Sequence, residues 1–109
     1  MQRGDLIRAG MPGIEVPEPR EFPSYSYPEA AKGSGRKVRI RVSLLVDEDG
    51  KVIDSQVRDA DTSGLGFKEA ALEAALKTRF FPATRDEIPG KMWTELIFEF
   101  KEEPGGASP

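Results

Sequence analysis

The sequence predicts an α+β fold in two layers, in which a three-stranded antiparallel sheet packs one face against a single helix. Residues 38–46 and 92–101 alternate apolar and polar side chains, a period of two that is typical of half-buried strands. Between them, residues 67–77 are rich in Ala, Leu, Glu and Lys, which favour an α-helix. With a second short strand after residue 51, these segments give the order β-β-α-β.

The first two strands are expected to form a hairpin. Apolar side chains occupy alternate positions of the first strand, at Val38, Ile40, Val42, Leu44 and Val46. Residues 47–50 then turn the chain, because Gly50 can take a positive φ at the end of a turn. Val52, Ile53 and Val57 follow on the second strand, and antiparallel pairing with the first is the simplest connection.

The helix is expected to lie on the sheet with a stripe of mostly small side chains. At about 100° per residue, its inward positions are Phe67, Ala71, Ala74, Ala75 and Thr78. Charged side chains fall on the opposite face, at Glu69, Glu73 and Lys77. Residues 61–64 (Asp-Thr-Ser-Gly) precede the helix and supply candidates for its N-cap.

The last strand is expected at an edge of the sheet. A right-handed crossover through the helix places it beside the first strand, which gives the sheet order 2-1-3. Its inward side chains are Thr94, Leu96, Phe98 and Phe100, and its outward ones are Trp93, Glu95, Ile97 and Glu99. The predicted core includes Val42, Leu44, Phe67, Ala71, Leu96 and Phe98.

The two ends of the chain differ from the middle in composition. Residues 1–26 hold four of the nine prolines, and a fifth follows at Pro28, so we expect a proline-rich linker that is extended or disordered and packs on nothing. Residues 103–109 have almost nothing apolar to bury and are expected to form a flexible tail. The folded domain is therefore predicted over residues 27–102.

Composition excludes several classes of chemistry. The chain of 109 residues has no His and no Cys, which rules out a Ser-His-Asp relay, a thiolate nucleophile, a His or Cys zinc site and a disulfide. We predict no catalytic residues, no metal, no cofactor and no enzymatic activity, since no carboxylate pair lies in a segment typical of a cleft. A net charge of −3 disfavours nucleic acid as a partner. No apolar run approaches the roughly 20 residues of a membrane span, so we expect no membrane insertion by this chain and any signal or anchor outside this sequence.

Three segments each have a functional interpretation and a simpler structural one. Residues 47–49 suggest a calcium loop, but they lack the EF-hand spacing, and a hairpin turn is favoured. Residues 33–37 suggest a phosphate-binding loop, but they lead into a strand, and a flexible connection is favoured. The basic side chains of residues 36–41 have no interleaved aromatic residues, and we expect Arg39 and Arg41 to pair with glutamates of the last strand.

Four segments together resemble the TonB C-terminal domain family. They are Tyr27-Pro-Glu-Ala-Ala31, Val46-Asp-Glu-Asp-Gly-Lys-Val52, Glu69-Ala-Ala-Leu-Glu-Ala74 leading to Arg79-Phe-Phe-Pro-Ala-Thr84, and a last strand opened by Trp93. Two departures from the family pattern are Thr78, where the family usually has Trp, and the Gly-Ser-Gly-Arg entry to the first strand at residues 33–36. The first departure affects the packing of the core. The second suggests a looser hinge before the first strand.

The resemblance implies a periplasmic domain of an energy transducer that is anchored in the inner membrane of a Gram-negative bacterium. Such domains engage outer-membrane TonB-dependent transporters through an energy-coupling motif of the transporter. The resemblance also implies that the parent protein works with an inner-membrane motor of the ExbB/ExbD type.

The candidate binding site is the last strand, at Trp93, Thr94, Glu95, Ile97, Glu99 and Lys101. An unpaired edge strand is a template for β-augmentation, in which backbone groups supply affinity and alternate side chains read the guest peptide. The family uses its last strand in this way. Two alternatives stay open. In the first, Trp93 merely covers the outer sheet surface or lies against the N-terminal segment. In the second, the edge pairs with another copy or another envelope protein, as the similar TolA C-terminal domain suggests.

Overall fold

A computed structural model describes residues 1–59 and 64–102. In these ranges the chain forms β1 (Ile14–Glu15), β2 (Glu18–Glu21), a 3-10 turn (Glu29–Ala31), β3 (Lys37–Val46), β4 (Val52–Val57), α1 (Phe67–Lys77), β5 (Arg79–Phe81), β6 (Ala83–Arg85), β7 (Ile88–Gly90) and β8 (Met92–Lys101). The strands predicted as first, second and third are β3, β4 and β8. The predicted tail, residues 103–109, lies outside the described residues.

The central sheet is antiparallel with the strand order β4-β3-β8, which confirms the predicted order 2-1-3. β3 and β8 pair in a continuous register over their whole length, with Val42 opposite Leu96 and Ile40 opposite Phe98. The β3–β4 pairing is shorter and contains an irregularity between Leu45 and Val46. The sheet therefore has one long, regular edge along β8 and one short, irregular edge along β4.

The core lies between the central sheet and α1, and the predicted inward face of the helix is confirmed. Each of its positions, Phe67, Ala71, Ala74, Ala75 and Thr78, is at most 3% exposed. Phe98 and Phe100 of β8 are also buried. Leu96 is only half-buried, not buried as predicted, because α1 packs mainly on β3 and β4 and leaves this part of β8 less covered.

Thr78 occupies a fully buried position and satisfies its own polar group. Its Oγ1 donates a hydrogen bond to the carbonyl oxygen of Ala74 at 2.9 Å. A buried hydroxyl with a partner avoids the desolvation cost of an unpaired one. The departure from the family's Trp is therefore accommodated without an orphaned polar atom.

The predicted turn between β3 and β4 forms as expected. Gly50 has a φ of 82°, and the Asp47 carboxylate accepts hydrogen bonds from two backbone N–H groups of the turn. A Cβ at Gly50 would collide with the carbonyl oxygen of Phe80, so glycine is required here for two reasons. At the start of α1 the N-cap is Gly66, without a side-chain cap; the predicted cap candidates Asp61, Thr62 and Ser63 lie outside the described residues.

Residues 1–26 lie against the domain, contrary to the expectation of a linker that packs on nothing. β1 pairs with β6, and β2 pairs with β5. Ile7 is 2% exposed and forms a second small cluster with Ala83 and Met92. The proline-rich N-terminal segment is extended, as expected. Its backbone groups form hydrogen bonds with the segment between α1 and β8.

That segment folds into short strands that the sequence did not predict. β6 and β7 form a hairpin whose two loop residues, Asp86 and Glu87, have φ values of 49° and 70°. Positive φ at both positions is the geometry of a type I′ turn, which normally favours Asn and Gly. The Asp86 N–H donates to the carbonyl oxygen of Gly13 at 2.9 Å, so contact with the N-terminal segment supports this turn.

Candidate functional site

The backbone of β8 presents hydrogen-bonding groups to solvent along its outer edge. In an antiparallel strand the N–H and C=O of one residue point to the same side, and successive residues alternate. Arg41 of β3 directs both groups toward β4, since its N–H donates to Asp59 and its carbonyl oxygen accepts from Arg58. Its neighbours in β3 therefore face β8, and they pair with the even-numbered residues of β8.

The odd-numbered residues of β8 consequently point their N–H and C=O groups away from the sheet. These are Trp93, Glu95, Ile97, Glu99 and Lys101. Within residues 1–59 and 64–102, no strand pairs with β8 on this side. The predicted open edge is thus present, with outward-facing donors and acceptors at alternate positions, of which those of Glu99 bond to Tyr25.

The side chains of the candidate site divide between two faces, as the alternation predicted. Trp93 is 39% exposed and Ile97 is 48% exposed on the outer face. Glu95 lies between them on the same face and is also exposed, whereas Thr94 is half-buried on the helix side. The outer face of the edge therefore offers two apolar side chains that flank a carboxylate.

The charged residues of the outer face pair only partly as expected. Arg39 lies 3.5 Å from the Glu99 carboxylate, which confirms one cross-strand pair. Arg41 instead binds Asp59 at 3.0 Å, because the residue opposite it in β8 is Ile97. Hydrogen bonding to Asp59 raises the pKa of Arg41, and the same bond holds the pKa of Asp59 below its ordinary value. Among the described residues, Glu95 has no ion-pair partner within 4 Å.

Two segments of the N-terminal chain occupy the ends of this edge. At one end, the Lys91 N–H donates to the Asp5 carbonyl oxygen at 2.9 Å, and the Ile7 N–H donates to the Lys91 carbonyl oxygen at 2.7 Å. At the other end, the Tyr25 hydroxyl donates to the Glu99 carbonyl oxygen at 3.2 Å and accepts from the Glu99 N–H at 3.3 Å. Sequence reasoning missed both contacts, because neither segment has a periodic pattern that would show where it docks.

The other segments considered for function have structural roles. The Glu102 carboxylate accepts hydrogen bonds from the N–H groups of Gly33 at 2.6 Å and Gly35 at 2.9 Å. These bonds hold the pKa of Glu102 below its usual value. The Glu102 carboxylate thus occupies the N–H groups of residues 33–35 that a phosphate would need. Among the described residues, no group of three acidic side chains converges as a metal site. No helix in that part of the chain is long and apolar enough to cross a membrane.

Comparisons with known families and with solved structures agree. The family model described as Gram-negative bacterial TonB protein C-terminal matches residues 23–101. The solution NMR structure of the Pseudomonas aeruginosa TonB CTD is 25% identical in sequence, with a TM-score of 0.57, and the match covers 88% of this chain and 93% of that one. A search of curated proteins finds no significant match.

Proposed function

Because the chain belongs to the TonB C-terminal domain family, we propose that it captures an extended segment of an outer-membrane TonB-dependent transporter as an added strand along β8. The observation that carries the proposal is the outer edge of β8, which is regular in register and unpaired by any described strand. TonB C-terminal domains are periplasmic and interact with transporters of this class in general.

Main-chain pairing supplies the affinity in this proposal. A guest strand would bond to the free N–H and C=O groups of Trp93, Glu95 and Ile97, and its side chains would alternate between the two faces of the extended sheet. On the outer face they would lie beside Trp93, Glu95 and Ile97, which favours a guest with a basic residue between two apolar ones. The backbone groups of Glu99 already bond to Tyr25, so Glu99 and Lys101 lie beyond the stretch with which a guest first pairs.

The opposite edge of the central sheet is less suited to a guest. β4 is shorter than β8, and the irregularity in its pairing with β3 lies at Ile53. Asp54 lies on this strand, and irregular pairing and charged side chains are both devices by which edges resist pairing with another chain. This contrast supports β8, not β4, as the site.

Capture on an edge strand suits the transmission of force. Strand hydrogen bonds lie perpendicular to the strand axis, so a pull along the guest loads all of them together. We propose that the domain acts in the periplasm without catalysis of its own. Its parent protein would be anchored in the inner membrane and driven by a motor of the ExbB/ExbD type.

Trp93 provides the test, because it is the chain's single tryptophan and lies on the proposed edge. Titration with a peptide that carries a transporter's energy-coupling motif is expected to move Trp93 emission to shorter wavelengths as the guest covers the indole. The matched control is the same peptide with prolines at alternate positions, which cannot donate along one side. An equal response to both peptides would contradict strand pairing.

Pairing of the edge with another copy of the chain is the competing function. The exposed side chains of Trp93 and Ile97 favour it as much as they favour a transporter peptide. In that case Trp93 emission would shift when the protein alone is concentrated, and the peptide would reverse self-association. The same fluorescence measurement thus distinguishes the homodimer from the transporter complex.

A further inference from the structure

We propose that the Tyr25 hydroxyl ends the guest strand: it occupies the place of a guest residue at Glu99 and limits capture to the stretch from Trp93 to Ile97. The proposal rests on the function proposed above and adds the register and length of the segment that the edge accepts. Tyr25 acts here as a positioning residue on the partner-binding edge.

The geometry at Glu99 mimics a paired strand. In an antiparallel sheet, a hydrogen-bonded pair of residues exchanges both N–H···O contacts with each other. The Tyr25 oxygen makes both contacts with one residue, because it donates to the Glu99 carbonyl oxygen at 3.2 Å and accepts from the Glu99 N–H at 3.3 Å. One hydroxyl therefore satisfies the two backbone groups that a guest residue would need.

The Tyr25 ring holds that hydroxyl in place. Its centroid lies 5.3 Å from the Phe98 ring and 5.2 Å from the Phe100 ring, both in edge-to-face geometry. Such aromatic pairs stabilise a contact beyond the area that they bury. Pro23 and Pro28 flank residues 24–27 and restrict their backbone, so a short stiff segment carries the Tyr25 ring.

The opposite end of the open stretch is closed by a different contact. Lys91 already exchanges backbone hydrogen bonds with Asp5 and Ile7. The stretch left between the two contacts runs from Trp93 to Ile97, about 17 Å at about 3.4 Å per residue. A guest that fits it has about five residues in strand conformation, and a longer strand must displace Tyr25 or the Asp5–Ile7 segment.

Hydrogen exchange in the free protein tests the contact itself. Tyr25→Phe keeps the ring and removes the hydroxyl, so the Glu99 amide is expected to exchange about fivefold faster or more, while the Phe98 amide, which faces β3, is unchanged. Tyr27→Phe is the matched control, because the Tyr27 hydroxyl bonds to Ser34 and Arg36 and not to a backbone group of β8. Unchanged Glu99 exchange in Tyr25→Phe would overturn the proposal.

A pair of peptides tests the consequence for binding. The first is acetyl-Val-Thr-Lys-Thr-Val-amide, whose alternation sets Lys beside Glu95. The second adds Val-Thr at its N-terminus, the end that lies at Glu99 when the guest is antiparallel to β8. In the wild type, the two peptides are expected to bind with equal affinity, which is measured from the shifts of backbone amide signals. In Tyr25→Ala, which removes the ring as well as the hydroxyl, the longer peptide is expected to bind about fivefold or more tighter, as added strand pairing forms at Glu99.

Each other outcome counts against the proposal. Gain from the longer peptide in the wild type, or no gain in Tyr25→Ala, would show that Tyr25 does not end the guest strand. If neither peptide shifts any β8 amide, the proposed function itself fails and the inference falls with it. The Glu99 exchange measurement tells these failures apart, because it needs no peptide.

Discussion

At the scale of single residues, the alternation of β8 carries most of the information about the site. A period of two sufficed to place Trp93 and Ile97 outside and Phe98 inside, as the structure has them. It did not predict that Leu96 is only half-buried, because burial there depends on how far α1 extends across the sheet. The face of a residue is a local property, whereas its degree of burial depends on the packing of distant elements.

Phe98→Ala tests the assigned core. Phe98 is 1% exposed and lies among the buried residues beneath α1, so its truncation is expected to lower the free energy of unfolding by about 3–5 kcal/mol. Chemical denaturation measures the change. Phe22→Ala is the matched control, since Phe22 is 60% exposed and should tolerate truncation. A loss within about 1 kcal/mol for Phe98→Ala would contradict the register of β8.

Glu102 is expected to make stability depend on acid pH. Its hydrogen bonds with Gly33 and Gly35 lower its pKa in the folded state, so its contribution is present above the ordinary value of 4.5 and disappears as the pH falls through the folded-state value. Glu102→Gln should therefore destabilise the domain at pH 7 and lose this effect in acid. Melting curves of wild type, Glu102→Gln and the exposed control Glu18→Gln across that range measure it; a deficit of the same size at every pH would contradict the assignment.

At the scale of elements, the hairpin, the helix and the last strand were predictable because each has its own local pattern. Alternation defined β3 and β8, and the run of helix formers defined α1 with the bounds that the structure has. β1 and β2 are two and four residues long, prolines flank both, and Pro19 lies within β2, so no periodicity can form in them. Their pairing depends on β5 and β6, which are themselves short and irregularly spaced.

The docking of the N-terminal segment changes what its mutation should do. Ile7 is buried against Ala83 and Met92, so Ile7→Ala is expected to lower the free energy of unfolding by about 2–5 kcal/mol. Val16→Ala, at a position that is 55% exposed, is the matched control within the same segment. If both variants unfold at the wild-type denaturant concentration, the segment behaves as the linker that the sequence suggested.

A proline at position 97 distinguishes the outward backbone groups of β8 from those that bond to β3. The N–H of Ile97 faces outward, so Ile97→Pro leaves the bonds to β3 intact and is expected to keep the fold while it abolishes peptide binding. Leu96→Pro removes an N–H that faces β3 and is expected to melt at a clearly lower temperature. Ile97→Ala retains the backbone donor and should weaken binding only mildly.

Circular dichroism melting must accompany the binding assay for these variants. If Ile97→Pro and Leu96→Pro lose stability equally, the outward orientation of the Ile97 N–H is wrong. If Ile97→Pro folds and still binds the peptide, the guest does not use the main chain of β8.

At the scale of the whole molecule, the domain is a two-layer unit with one regular edge whose ends are closed by its own N-terminal chain. The topology that leaves β8 at the edge followed from the handedness of the crossover and the order of elements. The contacts that close the edge, at Lys91 and Glu99, join positions 74 or more residues apart in sequence. No pattern near either partner encodes such a contact, so the strand was predictable and the limits of its open stretch were not.

The most direct test of edge capture follows individual backbone amides of β8 by NMR during titration with a transporter's energy-coupling peptide. The account predicts that the amides of Trp93, Glu95 and Ile97 shift and gain protection from hydrogen exchange. The amides of Thr94 and Leu96, already bonded to β3, should change far less in protection. Protection gained equally along the strand, or shifts confined to β3, α1 or the Arg39 and Arg41 face with β8 silent, would contradict it.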